Sequence, residues 1–226
     1  MLFKILKVPF IVLHDLLQLF IVYMPGIFGT KIRYLYYKKK LKKCGKNVII
    51  DIGVHIEGAE LISIGDDVFI DKYCIISTGK KLTGDITRKS NELFQGNFGE
   101  VFIGNNIHIA QFCILMGYGG LIIADNCVLS SGCKIYSLTN TAYDVENKQK
   151  KISIMPYSQA PFFLSPVVFE RNTWLGLNTV VMPSVSIGKD SFCSTNSIVM
   201  NSFEENSYIS GQPAKKVKSR FSSKAE

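Results

Sequence analysis

The sequence predicts an all-β chain wound as a three-sided parallel β-helix, with an N-terminal helical arm before it and a short C-terminal tail after it. Three observations lead there. An aliphatic residue recurs every six positions, a small or β-branched residue follows each one four places later, and Gly, Asp and Asn cluster where the chain must bend. A period of six fits neither a helix nor a flat sheet, whose periods are 3.6 and 2. A triangular coil with three short strands per turn has that period: each side turns one aliphatic inward, the small residue fills the corner, and backbone groups pair with the coils above and below.

In the C-terminal third the register runs Phe169, Leu175, Val181, Ile187, Cys193 and Val199, with Thr173, Thr179, Val185, Ser191 and Ser197 as corner companions. Earlier blocks are Ile50 and Ile56, then Ile64, Ile70 and Ile76, then Ile103, Ile109 and Leu115, then Ile123, Leu129 and Ile135. The bends fall at Gly65-Asp66-Asp67, Gly104-Asn105-Asn106, Ala124-Asp125-Asn126 and Gly188-Lys189-Asp190. Cys74, Cys113, Cys127 and Cys133 take the small inward slot, so they are expected to fill the core and not to bind metal or act as nucleophiles. With no CxxC pair and no recognisable cleavable signal, the six cysteines are read as reduced thiols of a cytoplasmic protein.

The helical arm is assigned to residues 1–43 and the coil domain to 44–226. The net charge of +8 lies entirely in the arm, which holds nine cations (Lys4, Lys7, Lys31, Arg33, Lys38, Lys39, Lys40, Lys42 and Lys43) and one acid, Asp15. A balanced coil domain argues against nucleic acid as partner, and the basic arm points to an anionic membrane surface. Residues 1–24 are apolar over most of a helical circumference and end at Pro25-Gly26. Lys4, Lys7 and Asp15 interrupt the only run long enough to span a bilayer, so the arm is expected to lie in the headgroup zone. Packing on the coil domain or on a neighbouring subunit is the other reading of the same residues.

Two stretches, 80–100 and 137–168, break the register. A coil interior filled with aliphatics leaves polar chemistry to such loops and to the outer faces. No P-loop, dinucleotide fingerprint, HExxH, zinc-ligand cluster or nucleophile elbow occurs, and no metal is expected.

The repeat, taken with Ile187-Gly188-Lys189-Asp190, Trp174-Leu175-Gly176 and Gly211-Gln212-Pro213-Ala214-Lys215-Lys216-Val217, resembles the left-handed β-helix (hexapeptide-repeat) acyltransferases over about residues 44–220. Gly117-Tyr118-Gly119-Gly120-Leu121 and the lysine-rich lead-in look most like the acetyltransferases of surface polysaccharide synthesis. The left hand of the coil, acetyl-CoA as co-substrate, and a homotrimer with substrate held between subunits are what the resemblance implies. It also implies acetyl transfer to a sugar hydroxyl or amine in capsule or O-antigen synthesis, the acceptor being nucleotide-linked, lipid-linked or polymeric. The arm would then hold the enzyme peripherally at the inner face of the cell membrane.

The resemblance places the pantetheine beside Trp174, Leu177, Thr195 and Met200, and the CoA phosphates near Lys215 and Lys218. It expects a histidine a few residues beyond Ile135-Tyr136, to take the proton from the attacking sugar hydroxyl; this chain has Asn140 there. An amide is no general base near neutral pH. Three accounts stay open: Asn140 orients an amine acceptor that needs no base; His108 or His55, both expected on the outer surface, serves instead; or the chain is a catalytically silent membrane scaffold. Tyr143, Asp144 and Glu146 follow in the same loop, while His14 belongs to the arm.

Overall fold

The computed structural model describes residues 8–79, 82, 85–140 and 161–222. Two helices, α1 (Val8–Tyr23) and α2 (Gly26–Lys40), precede six coils of three strands each. The first coil is β1 (Lys43–Cys44), β2 (Ile49–Ile50) and β3 (His55–Glu57); the second is β4 (Ile62–Ile64), β5 (Val68–Ile70) and β6 (Ile75–Thr78). After β7 (Ile86–Arg88) come β8 (Val101–Ile103), β9 (Ile107–Ile109) and β10 (Ile114–Gly117), then β11 (Leu121–Ile123), β12 (Val128–Leu129) and β13 (Lys134–Tyr136). β14 (Leu138–Asn140) and β15 (Phe162–Leu164) lead to β16 (Val167–Phe169), β17 (Trp174–Leu175) and β18 (Val180–Val181), and then to β19 (Ser186–Ile187), β20 (Phe192–Cys193) and β21 (Ile198–Val199). β22 (Ser207–Gly211) and β23 (Ala214–Ser219) close the chain.

Like strands of successive coils pair in parallel to make three faces, in the orders β1-β4-β8-β11-β16-β19, β2-β5-β9-β12-β17-β20-β22 and β3-β6-β10-β13-β18-β21. The six-residue register holds, with Ile50, Ile64, Ile70, Ile76, Ile109, Leu115, Leu129, Ile135, Phe169, Leu175 and Val199 all buried in one continuous core.

The corner companions have a reason to be small and polar that burial alone does not supply. A corner carbonyl cannot complete its ladder, and these side chains donate to it: Thr173 Oγ1 to Glu170 O at 2.7 Å, Thr179 Oγ1 to Gly176 O at 2.8 Å, and Cys133 Sγ to Gly176 O at 3.2 Å. All six cysteines are unpaired. Burial pushes the Cys193 thiol up to about 12 and the Cys127 thiol up to about 11. Ellman's reagent at neutral pH is therefore expected to reach Cys44 alone, and slowly, until the protein unfolds. Fast reaction of a second thiol in the native protein would contradict this interior.

At the bend between the first two faces, Asn47, Asp67, Asn106, Asn126, Asn172, Asp190 and Asn206 all have positive φ, the conformation Asn and Asp tolerate best among side-chain-bearing residues. Their side chains form ladders between coils, as in Asn106 Nδ2 to Asn126 Oδ1 at 2.8 Å and Asn172 Nδ2 to Asp190 Oδ1 at 2.7 Å. Gly104 is needed beside them because a Cβ there would stand 2.3 Å from Asp125 Oδ1.

Four findings differ from the sequence reading. Val167 and Val168 already belong to the fifth coil, so the second interruption ends before them, because the small buried Ser165 and Pro166 let the chain rejoin the face. The two interruptions are joined: β7, β15 and β14 form a three-stranded sheet of their own. The tail is an antiparallel hairpin, β23 on β22, turning at a cis Gln212–Pro213 bond. Finally Arg33, counted in the positive charge of the arm, is fully buried.

Candidate active site

Asn140 ends β14, which leaves the last residues of β13 and runs antiparallel to β15, with Asn140 opposite Phe162. Its exposed side chain stands at the rim of a cleft of about 320 Å³ lined by Met116, Tyr136, Leu138, Thr139, Asn140 and Met182. Met116 and Tyr136 are neighbours across the β10–β13 pairing. Each of Met116, Tyr136 and Met182 directly follows an inward aliphatic, Leu115, Ile135 and Val181, and so must point outward. That slot could have flagged Met116 and Met182 from the sequence. Ser137 fixes the departure of β14: its buried hydroxyl donates to Met116 O at 2.7 Å and accepts from Gly119 N at 2.8 Å. Gly119 is required there, since a Cβ would lie 2.3 Å from Ser137 O.

The cleft is mostly apolar, its polar groups being the Asn140 amide, the Thr139 hydroxyl and the Tyr136 phenol. No carboxylate, imidazole or thiol is among the six residues that line it. Tyr143, Asp144 and Glu146 lie outside the described residues.

The two histidines are on the surface but not beside Asn140. His108 stands in the row Phe69, His108, Val128, Trp174 on the second face. Its ring stacks on Phe69 at 5.2 Å, and Nε2 lies 3.8 Å from Asp71 Oδ2, too far for a hydrogen bond. His55 shares the third face with the cleft but sits on β3, three strands or about 14 Å from β13. There it lines a separate pocket with Asp15, Gln18 and Tyr23 of the arm.

Of the residues expected to meet CoA, Trp174 is on the second face with Leu177 and Thr195 at the bends that follow β17 and β20, whereas Met200 follows β21 on the third face, in the row of Met182. Trp174, Leu177 and Met200 are 44%, 48% and 56% exposed, and Thr195 is exposed. The Trp174 indole N–H donates to Ser130 Oγ at 3.0 Å and its ring meets the Phe192 edge at 6.1 Å, which holds it upright. Leu175 next to it is core, and Gly176 lets the sixth coil approach, since a Cβ would lie 2.7 Å from Thr195 N. Lys215 and Lys218 project from β23, with the Lys218 ammonium over the Tyr208 ring at 5.2 Å. Tyr118 in the glycine string is half-buried, and burial and then Glu57 raise its pKa. Among the described residues no group of three or more His, Cys, Asp or Glu is placed to hold a metal ion.

No protein-family model matches the chain. Curated relatives do: the Escherichia coli dTDP-4-amino-4,6-dideoxy-D-glucose acyltransferase is 26% identical over 79% of this chain and 82% of its own. A Klebsiella aerogenes chloramphenicol acetyltransferase is 27% identical over 45% of this chain and 52% of its own, about half of each. Among solved structures, a variant of AntD, an N-acyltransferase from Bacillus cereus, superposes with a TM-score of 0.65 at 24% identity, covering 84% of this chain and 89% of that one; it was solved with dTDP-4-amino-4,6-dideoxyglucose and coenzyme A.

Fold, repeat and relatives together mark the chain as an acyltransferase similar to those of the left-handed β-helix, hexapeptide-repeat class. Within that class its similarity runs to sugar acyltransferases, with acyl transfer to a nucleotide-linked amino sugar named for the E. coli relative.

Proposed function

We propose that the protein transfers the acetyl group of acetyl-CoA to the amine of a nucleotide-linked amino sugar in surface polysaccharide synthesis. The observation that carries this is the cleft beside Asn140, whose lining among the described residues of one chain holds no carboxylate, imidazole or thiol. A hydroxyl acceptor needs a base poised near neutral pH, whereas an amine is nucleophilic once neutral. In the step, the amine nitrogen bonds to the thioester carbonyl carbon, the C–S bond breaks, and the departing thiolate takes up the proton shed by nitrogen. Asn140 orients the amine, and Met116, Leu138 and Met182 give apolar walls to the deoxy edge of the sugar or the acyl methyl. The substrate named for the E. coli relative, a 4-amino-4,6-dideoxy sugar, supports this choice.

The reading extends to a homotrimer in which the Trp174 face of one chain stands against the Asn140 face of the next, and so carries His108 toward a neighbour's cleft. Trp174, Leu177, Thr195 and Met200 would hold pantetheine, with Lys215 and Lys218 on the phosphates. It also extends to an anionic membrane surface met by residues 1–43 on the cytoplasmic side, where acetyl-CoA is available.

Replacing Lys215 and Lys218 together by Ala is expected to weaken acetyl-CoA binding about tenfold or more while leaving pantetheine derivatives without phosphate unaffected. Calorimetry with both ligands checks it; equal losses would move the phosphates elsewhere. For the activity itself, acetyl transfer is to be measured with dTDP-4-amino-4,6-dideoxyglucose and with its 4-hydroxy counterpart. Preference for the amine supports the proposal, preference for the hydroxyl overturns it, and no transfer despite CoA binding returns the scaffold reading.

A further inference from the structure

The structure assigns the lipid-facing surface to the end of the β-helix: α1 and α2 cap its open N-terminal end, and their outer faces lie on an anionic bilayer so that the coil axis stands up from the membrane. This deepens the membrane part of the proposed function and does not depend on which sugar is acetylated.

The cap is rigid. Tyr37 and Leu41 belong to the same buried core as the coil aliphatics, so α2 closes the first coil like a lid fixed in place. Gly29, Arg33 and Tyr37, four residues apart, are its buried stripe. Arg33 Nε donates to Ile50 O at 2.7 Å, and Nη1 donates to Ile21 O at 3.2 Å and Met24 O at 2.7 Å. One guanidinium therefore ties the end of α1, the start of α2 and the first coil together. A Cβ on Gly29 would stand 1.9 Å from Met24 O, so the junction between the helices folds against α2 with no room for a side chain there.

With that stripe facing the coil, the opposite side of α2 points away along the coil axis. At about 100° per residue it is Ile27, Phe28, Lys31, Leu35, Lys38 and Lys39. Ile27, Phe28 and Leu35 are 77%, 67% and 59% exposed. Beside it α1 turns its apolar side outward, with Leu13, Leu16, Leu17, Phe20 and Tyr23 each more than half exposed. An outward apolar face this wide requires a cover. Charge chooses the cover. The arm has one acid against its lysines, so a second copy of the same face would bring like charges together, whereas an anionic lipid surface accepts both the apolar residues and the lysines.

The geometry fixes the height of the site. Trp174, the only tryptophan, is on β17, four strands from β2 and so about 19 Å above the cap.

The test uses the full chain and vesicles of phosphatidylcholine with or without phosphatidylglycerol. Binding is expected only with phosphatidylglycerol and is expected to fall with salt. Replacing Lys31, Lys38 and Lys39 by Gln should weaken it about a hundredfold, and Phe28→Asp should weaken it at least tenfold with thermal stability retained. Brominated lipid should quench a tryptophan introduced as Phe28→Trp and leave Trp174 unquenched. Quenching of Trp174 would mean the coil lies on its side and would overturn the upright placement. Equal binding to neutral vesicles, or self-association of the free chain that the Phe28→Asp change abolishes, would overturn the lipid assignment. Transfer to a soluble nucleotide sugar should be unchanged in these variants; its absence in the wild type would count against the proposed function and leave the lipid result standing.

Discussion

Arg33→Ala is expected to lower stability by about 3–5 kcal/mol, seen as a fall of about 10 °C in the midpoint of thermal unfolding. Arg33 is fully buried, and its donors satisfy carbonyls of α1, of the helix junction and of the first coil. The last carbonyls of a helix have no partner within it. Here Ile21 O and Met24 O accept from the guanidinium. Alanine leaves the buried Ile21 and Ile50 carbonyls and the half-buried Met24 carbonyl without this donor. Burial pulls the pKa of Arg33 down, and Asp51, 3.8 Å from Nη2, opposes that shift. Lysine is not expected to rescue, because one ammonium cannot reach acceptors set around a planar fork. Hydrogen exchange should show the loss first at the Gly53 amide, which donates to Val22 O at 3.0 Å. A midpoint within 2 °C of wild type, on the order of the noise of a surface substitution, would sink the claim that this side chain pins the cap.

Asn140→Ala is expected to cut kcat/KM for the amino-sugar acceptor by about a hundredfold with acetyl-CoA affinity unchanged. The reason is positional. The amide stands at the rim of a cleft whose other walls are Met116, Tyr136, Leu138, Thr139 and Met182, so few groups remain to fix the direction of attack. With no imidazole or carboxylate among those residues, the rate should rise with pH until the acceptor amine is neutral and then level off. A His108→Ala variant separates the alternatives: if it abolishes transfer and Asn140→Ala does not, the base comes from the second face of a neighbouring chain. A descending limb at low pH set by an imidazole would point the same way.

Much of the fold is legible in the sequence because the coil is built from local, repeated demands. Each inward aliphatic, each small corner residue and each Asn or Asp bend is dictated by its own six-residue unit, so Leu129, Cys133 and Asn126 declare their places without knowledge of distant residues. The outward slot works as well: it puts Trp174 on the surface and would have found Met182. The candidate site was less legible. Asn140 was visible only as a departure from an expected histidine, and the cleft beside it depends on where β14 leaves the face, which Ser137 and Gly119 decide through contacts between coils.

The sequence by itself determined the period, the corner chemistry, the presence of two interruptions and the asymmetry of charge, because each is a property of composition and spacing along the chain. Only the tertiary structure decided that the two interruptions share a sheet, that the tail folds back as β23, and that Arg33 is an internal tie and not a surface cation. These depend on carbonyls and strand edges left unpaired at the ends of elements. Which residue satisfies an unpaired group is settled by three-dimensional proximity: Arg33 is 17 residues from Ile50 in the chain and 2.7 Å from its oxygen in space.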